Sequence, residues 1–144
     1  MSPTQEEAGQ NVELIPFDEP RDLTRHERGL LDFLIAPLNC AELDELVARA
    51  KGVGYCSCGC PSVTLASDAQ PLSAELMSHL RGDDQALPLE IRAEEDESTG
   101  RQLEVTLHVL EGELIDLEIW GADADGELVT ELPSLEHLSY CRGH

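Results

Sequence analysis

Lysine is almost missing from this chain of 144 residues: Lys51 stands alone beside eight arginines. Thirty acidic residues face only nine basic ones, a formal net charge of −21. A field of that sign repels nucleic-acid phosphates and anionic lipid surfaces, so neither is expected as a partner. Aromatic residues are scarce too, at 3%, so the core must be built from Leu, Val and Ile. No apolar run approaches the roughly 18 residues that a membrane-spanning helix needs. The opening stretch Met1-Ser2-Pro3-Thr4-Gln5-Glu6-Glu7 has neither the basic nor the apolar part of an export signal. A cytoplasmic location is therefore expected. Also missing are a glycine-rich phosphate loop and the sharp serine turn of a hydrolase.

What is present suits a single domain of ordinary size. Residues 1–13 read as a flexible acidic tail and 14–144 as one α+β domain. Ile15-Pro16-Phe17 suggests a short extended segment, stopped by Pro20. Thr24 with Glu27 three residues later has the form of a capping box, and Leu30, Leu31, Phe33 and Leu34 continue it as a helical stripe. A second helix is expected from about Cys40 to Lys51, capped by Gly52, with the break at Pro37-Leu38-Asn39 closing a helical hairpin. From Val53 the apolar period changes to two. Strands are expected at 53–58, 63–67, 87–93, 103–109, 115–119 and 128–132, giving a mostly antiparallel sheet of about five or six strands behind an N-terminal helical hairpin. Residues 68–87 allow either a short helix or a long loop, and Leu135 and Leu138 suggest a terminal helical turn.

The register of the 103–119 hairpin can be argued from its charges. A two-residue turn at Glu111-Gly112 would pair Leu107 with Asp116 and place charges on the apolar face. A three-residue loop 110–112, pairing Leu107 with Ile115, avoids this. A loop 111–113 also keeps the apolar faces together and sets His108 opposite Asp116.

The sharpest chemical feature is Tyr55-Cys56-Ser57-Cys58-Gly59-Cys60-Pro61-Ser62, which carries three of the five cysteines. In a chain with no visible export signal, five thiols argue against a disulfide framework. Cys56, Cys58 and Cys60 share parity, so a straight strand would hold neighbouring thiols about 6.6–6.8 Å apart. That is too far for shared ligands, since a zinc–sulfur bond is only about 2.3 Å. The strand must bend for the thiols to act together, and Gly59 and Pro61 are placed to bend it. Cys56 and Cys60 have the Cys-x3-Cys spacing of a zinc site, and Cys141 with His144 forms a Cys-x2-His pair able to complete one. Cys56, Cys58, Cys60, Cys141 and His144 are the candidate ligands, for zinc or a soft ion such as Cu(I). Three thiols that simply pack as small apolar groups are the alternative. A redox role for Cys58-Gly59-Cys60 lacks the usual Cys-x-x-Cys and βαβ setting.

Other constellations carry less. The histidines are scattered and none has a catalytic sequence context. His108, on the polar side of its strand, reads as exposed. Asp123-Ala124-Asp125-Gly126 fails as a calcium loop, because Gly121 and Leu132 fall where acidic ligands belong. Trp120 offers either an anchor for a protein partner or a cover for a sheet edge. Acidity is concentrated late in the chain: residues 83–136 hold 17 acids against Arg92 and Arg101, a net of −15. A basic protein partner is the kind such a field attracts. A non-catalytic binding or accessory role is the first functional expectation, and metal binding at the cysteines the second.

Three strings carry a resemblance: Asp22-Leu23-Thr24 with Glu27 and Leu30-Leu31-Asp32-Phe33-Leu34; Cys56-Ser57-Cys58-Gly59-Cys60-Pro61-Ser62-Val63; and Leu107-His108-Val109 with Leu117-Glu118-Ile119. Together they resemble an uncharacterised family of small actinobacterial-type proteins. The cysteine run is the most specific part. The resemblance implies a bacterial cytoplasmic origin and no particular activity.

Overall fold

The computed structural model describes residues 13–82 and 88–141. Among them run strand β1 (Leu14–Arg21), helices α1 (Arg25–Ile35) and α2 (Ala41–Ala48), strands β2 (Ala50–Cys56) and β3 (Val63–Ser67), and helix α3 (Ala74–Arg81). Strands β4 (Leu89–Glu95), β5 (Gln102–Leu110), β6 (Glu113–Ala122) and β7 (Leu138–Tyr140) follow. The seven strands form one antiparallel sheet in the order β1-β2-β3-β6-β5-β4-β7. None of the helices described is long and apolar enough to cross a membrane.

Helix α1 starts where the sequence says it should. Thr24 Oγ1 accepts from the Glu27 N–H at 3.0 Å, and Glu27 Oε1 accepts from the Thr24 N–H at 2.9 Å. Both satisfy donors that an uncapped first turn leaves unpaired. Glu27 also meets Arg21 in a two-point ion pair at 2.9 and 3.0 Å, tying the end of β1 to the helix start. Burial disfavours the charged form of Glu27, but the Arg21 guanidinium and the Thr24 N–H outweigh it and hold the carboxyl below its usual range. At the other end of the helical pair, Arg28 donates to the carbonyls of Val47 and Ala50 at 2.6 and 2.8 Å.

The helices do not form a separate N-terminal hairpin. Strand β1 precedes them and pairs with β2, running on through Pro20 to Arg21 with an irregularity after Pro16. Its prolines are tolerated because β1 is an edge strand. Helix α2 stops at Ala48, short of the expected Lys51, and Gly52 lies inside β2. The ambiguous 68–87 region contains helix α3, with Ser73 as its N-cap. The expected strand at 128–132 reduces to a single bridge between Leu128 and Ala122. The terminal helical turn is a short 3₁₀ segment leading into β7, whose Tyr140 stacks on Phe33 at 4.4 Å and donates to its carbonyl at 2.6 Å.

The β5–β6 hairpin combines two of the three loops: beyond the turn it has the register of the 111–113 loop, with His108 opposite Asp116, and the 110–112 loop with its Leu107–Ile115 pairing is not formed. Its turn is the two-residue one, with Glu111 at φ 53° and Gly112 at φ 84°, as mirror-image hairpin turns require. Leu110 and Val109 accordingly pair with Glu113 and Leu114. A bulge at Ile115 then shifts the register, so that His108 faces Asp116, Leu107 faces Leu117 and Val105 faces Ile119. Leu114 is buried in place of the expected Ile115, which is 38% exposed. One bulged residue removes the charge conflict of the short turn.

Core packing follows from this register. Leu103, Val105, Leu107 and Val109 of β5 line the inner face with Leu117 and Ile119 of β6. Leu30, Leu31 and Leu34 of α1, with Leu43, Leu46 and Val47 of α2, pack into the same cluster. The opposite face of β4, β5 and β6 carries mostly polar side chains, with Trp120 among them.

Candidate metal centre

The cysteine run connects β2 to β3, and its conformation is fixed at both ends by neighbouring strands. At the start, the Ser57 N–H donates to the Glu13 carbonyl at 2.8 Å, and the Glu13 N–H donates to Ser57 Oγ at 2.8 Å. Glu13, expected in the loose tail, is thus held against the turn. At the end, Ser62 Oγ accepts from the Ile119 N–H at 2.8 Å and donates to the Ile119 carbonyl at 3.2 Å. A serine hydroxyl here takes over a pairing that β3 would otherwise make through its backbone.

Between these anchors the chain bends. Strand β2 ends at Cys56, Ser57 and Cys58 turn, and Gly59 sits at φ 93°, in the region that favours glycine. The bend removes the parity problem of a straight strand and brings all three Sγ atoms within 4.8 Å of one another. The Cys56 thiol lies 3.1 Å from Cys58 Sγ, the Cys60 N–H points at Cys58 Sγ at 3.4 Å, and Cys60 Sγ approaches Ser62 Oγ at 3.3 Å. Three corners of a tetrahedron built on 2.3 Å bonds are about 3.8 Å apart, so small rotations about the Cα–Cβ bonds suffice to share one ion. Cys58 is exposed and its two neighbours are half-buried, so an ion can reach the site from solvent.

The other candidate ligands are not brought there. Cys141 follows β7, at the far edge of the sheet, with β6, β5 and β4 between β3 and β7. At about 4.8 Å per strand, that places it roughly 19 Å from the turn. Its thiol donates to Glu94 at 3.5 Å, and burial, helped by that carboxylate, pushes its pKa up. His144 lies outside the described residues. Cys40 is buried at the start of α2, 3.7 Å from Glu42. The described ligand set is Cys56, Cys58 and Cys60.

A second polar constellation was legible only in part: the 111–113 register sets His108 opposite Asp116, but nothing in the sequence placed Glu90 or Glu118 beside it. His108 is not freely exposed: its Nδ1 is 2.7 Å from Asp116 and its Nε2 is 3.4 Å from Glu90, with Glu118 at 4.0 Å. These residues belong to the solvent-side face of the sheet, where cross-strand pairing builds three rows: Glu90–His108–Asp116, Arg92–Thr106–Glu118 and Glu94–Glu104–Trp120. The signal lay in the register, since only the pairing of His108 with Asp116 creates the first row. The hydrogen bond to Asp116 raises the His108 pKa above its usual 6.5, against the opposing effect of burial and with help from Glu118 and Glu90.

A raised folded-state pKa gives stability that is fully present below the unfolded value and lost as pH rises through the folded value. Unfolding free energy should therefore decline with rising pH from about 6.5 upward in the native protein. In a His108→Gln variant that part of the slope should be absent. Parallel pH profiles for the two proteins would contradict the arrangement.

No family model, curated protein or solved structure matches this chain, so the three-thiol turn and the acidic sheet face must be read on their own chemistry.

Proposed function

We propose that this is a small metal-binding protein whose ligands are Cys56, Cys58 and Cys60. The observation that carries the reading is the convergence of three Sγ atoms within 4.8 Å on a turn pinned to β1 and β6. Packing alone does not account for it, because Cys58 is exposed and buries little. An all-sulfur donor set takes zinc or a softer ion. The test is metal content and thiol titration of protein purified without a histidine tag. About one bound ion per chain and three thiols shielded until a chelator is added are expected. Free titration of Cys56, Cys58 and Cys60 in protein that takes up no zinc or copper would refute the reading.

The acidic sheet face favours a second reading, a non-catalytic accessory module for a basic protein partner. Trp120 is 61% exposed at the end of the row formed with Glu94 and Glu104. An indole face bordered by carboxylates suits an arginine, which it can meet by stacking and by ion pairing together. An arginine-rich peptide should bind more weakly as salt is raised, and Trp120→Ala should weaken it by roughly 10-fold or more. Binding that ignores both salt and the substitution would count against this face.

A further inference from the structure

Resting on the metal-binding reading, we infer that the three-cysteine turn is a Cu(I) exchange site and not a structural zinc site. The donor count comes first. A structural zinc site is closed by four protein ligands, whereas the described residues supply three sulfurs and no histidine or carboxylate to the group. Cys141 is committed to Glu94 across the sheet, and Cys40 is buried beside Glu42. Among the described residues, three thiolates close a Zn(II) site only with water as the fourth ligand, whereas they satisfy Cu(I), a soft ion content with sulfur alone and with low coordination numbers.

The place of the turn in the fold points the same way. Structural zinc sites stabilise regions that cannot otherwise fold. Here β2 and β3 pair along their backbones from Ala50 to Tyr55, and Val63 and Leu65 are buried in the main core. Among the described residues, the turn is held at both ends, through Ser57 and Ser62, without a metal.

Access to the turn favours exchange as well. Exposed Cys58 stands between the two half-buried cysteines and is the ligand an incoming thiol reaches first. Loading exchanges three S–H protons for three S–Cu bonds, the protons passing to solvent, and copper remains Cu(I) throughout. Unloading runs in reverse: an incoming thiol gives up its proton as its sulfur bonds copper, and the departing Cys58 sulfur takes up a proton. No electron is transferred in either direction.

The experiment uses the full, untagged, reduced chain under anaerobic conditions. It is titrated with Cu(I) against a chromogenic Cu(I) chelator and separately with Zn(II) against a chromogenic zinc indicator. About one Cu(I) per chain should bind, with sulfur as the only neighbour in copper X-ray absorption, and it should displace any zinc. The chelator in excess should withdraw the copper readily. Cys58→Ser should lower Cu(I) affinity by at least about 100-fold while leaving the thermal unfolding midpoint of the metal-free protein unchanged. Tight zinc binding that Cu(I) fails to displace, or copper that excess chelator cannot remove, would overturn the exchange site while leaving a metal site standing. Binding of neither ion would overturn the metal-binding reading with it.

Discussion

Replacing Cys56 and Cys60 together by serine is expected to abolish metal binding and to leave the fold in place. A serine hydroxyl is a poor ligand for a soft ion, and one remaining thiol cannot hold it against water. Cys56 and Cys60 are only half-buried, and neither belongs to the main hydrophobic cluster. The structural cost should stay within about 1 kcal/mol, so circular dichroism and the urea midpoint of the metal-free protein should barely move. Equilibrium dialysis checks the first half and denaturation the second. Loss of the fold together with the metal would show instead that the cysteines are part of the core.

The largest stability effect is expected at a glycine far from the thiols. A Cβ on Gly112 would stand 2.2 Å from the Leu72 carbonyl oxygen and 2.8 Å from its nitrogen. Leu72 cannot retreat cheaply, since its N–H donates to the Gly112 carbonyl at 2.9 Å and its side chain is buried. Gly112 also holds φ 84° in the hairpin turn. Adding the backbone strain to the overpacking, Gly112→Ala should cost about 3–5 kcal/mol. Gly126 provides the control, because it has a similar φ of 83° but nothing within 4 Å of a Cβ. Its alanine variant should lose only about 1–2 kcal/mol. Urea denaturation at constant m separates the two. Equal losses would mean that the segment before α3 does not rest on the hairpin turn.

The sequence revealed local structure well where a single rule governs it. Thr24 and Glu27 announced the start of α1, and the alternation Leu103-Val105-Leu107-Val109 marked β5 and its inner face. It failed where two local rules conflict. The turn chemistry of Glu111-Gly112 and the charge of Asp116 point to different registers, and only a bulge at Ile115 satisfies both. A bulge leaves no composition signal of its own. Edge strands were weakly marked for a related reason: β1 runs through Pro20, which reads as a stop, and β7 has only three residues.

The candidate site divides along similar lines. The convergence of the Cys56, Cys58 and Cys60 thiols within 4.8 Å was foreshadowed by their spacing and by the bend that Gly59 offers. Whether Cys141 joins them depends on strand order, and short-range patterns do not encode that. Placing β7 beside β4 sends it to the far edge. Facing of His108 by Asp116 was one of the registers the sequence allowed, whereas Glu90 and Glu118, from two other strands, read alone as ordinary surface acids.

Site-resolved alkylation, read by mass spectrometry with and without one equivalent of metal, distinguishes a turn whose thiols share one ion from three independent thiols. Metal is expected to protect Cys56, Cys58 and Cys60 together while labelling of Cys141 stays unchanged. Unchanged labelling of the three turn cysteines, or protection that includes Cys141, would contradict the three-thiol site.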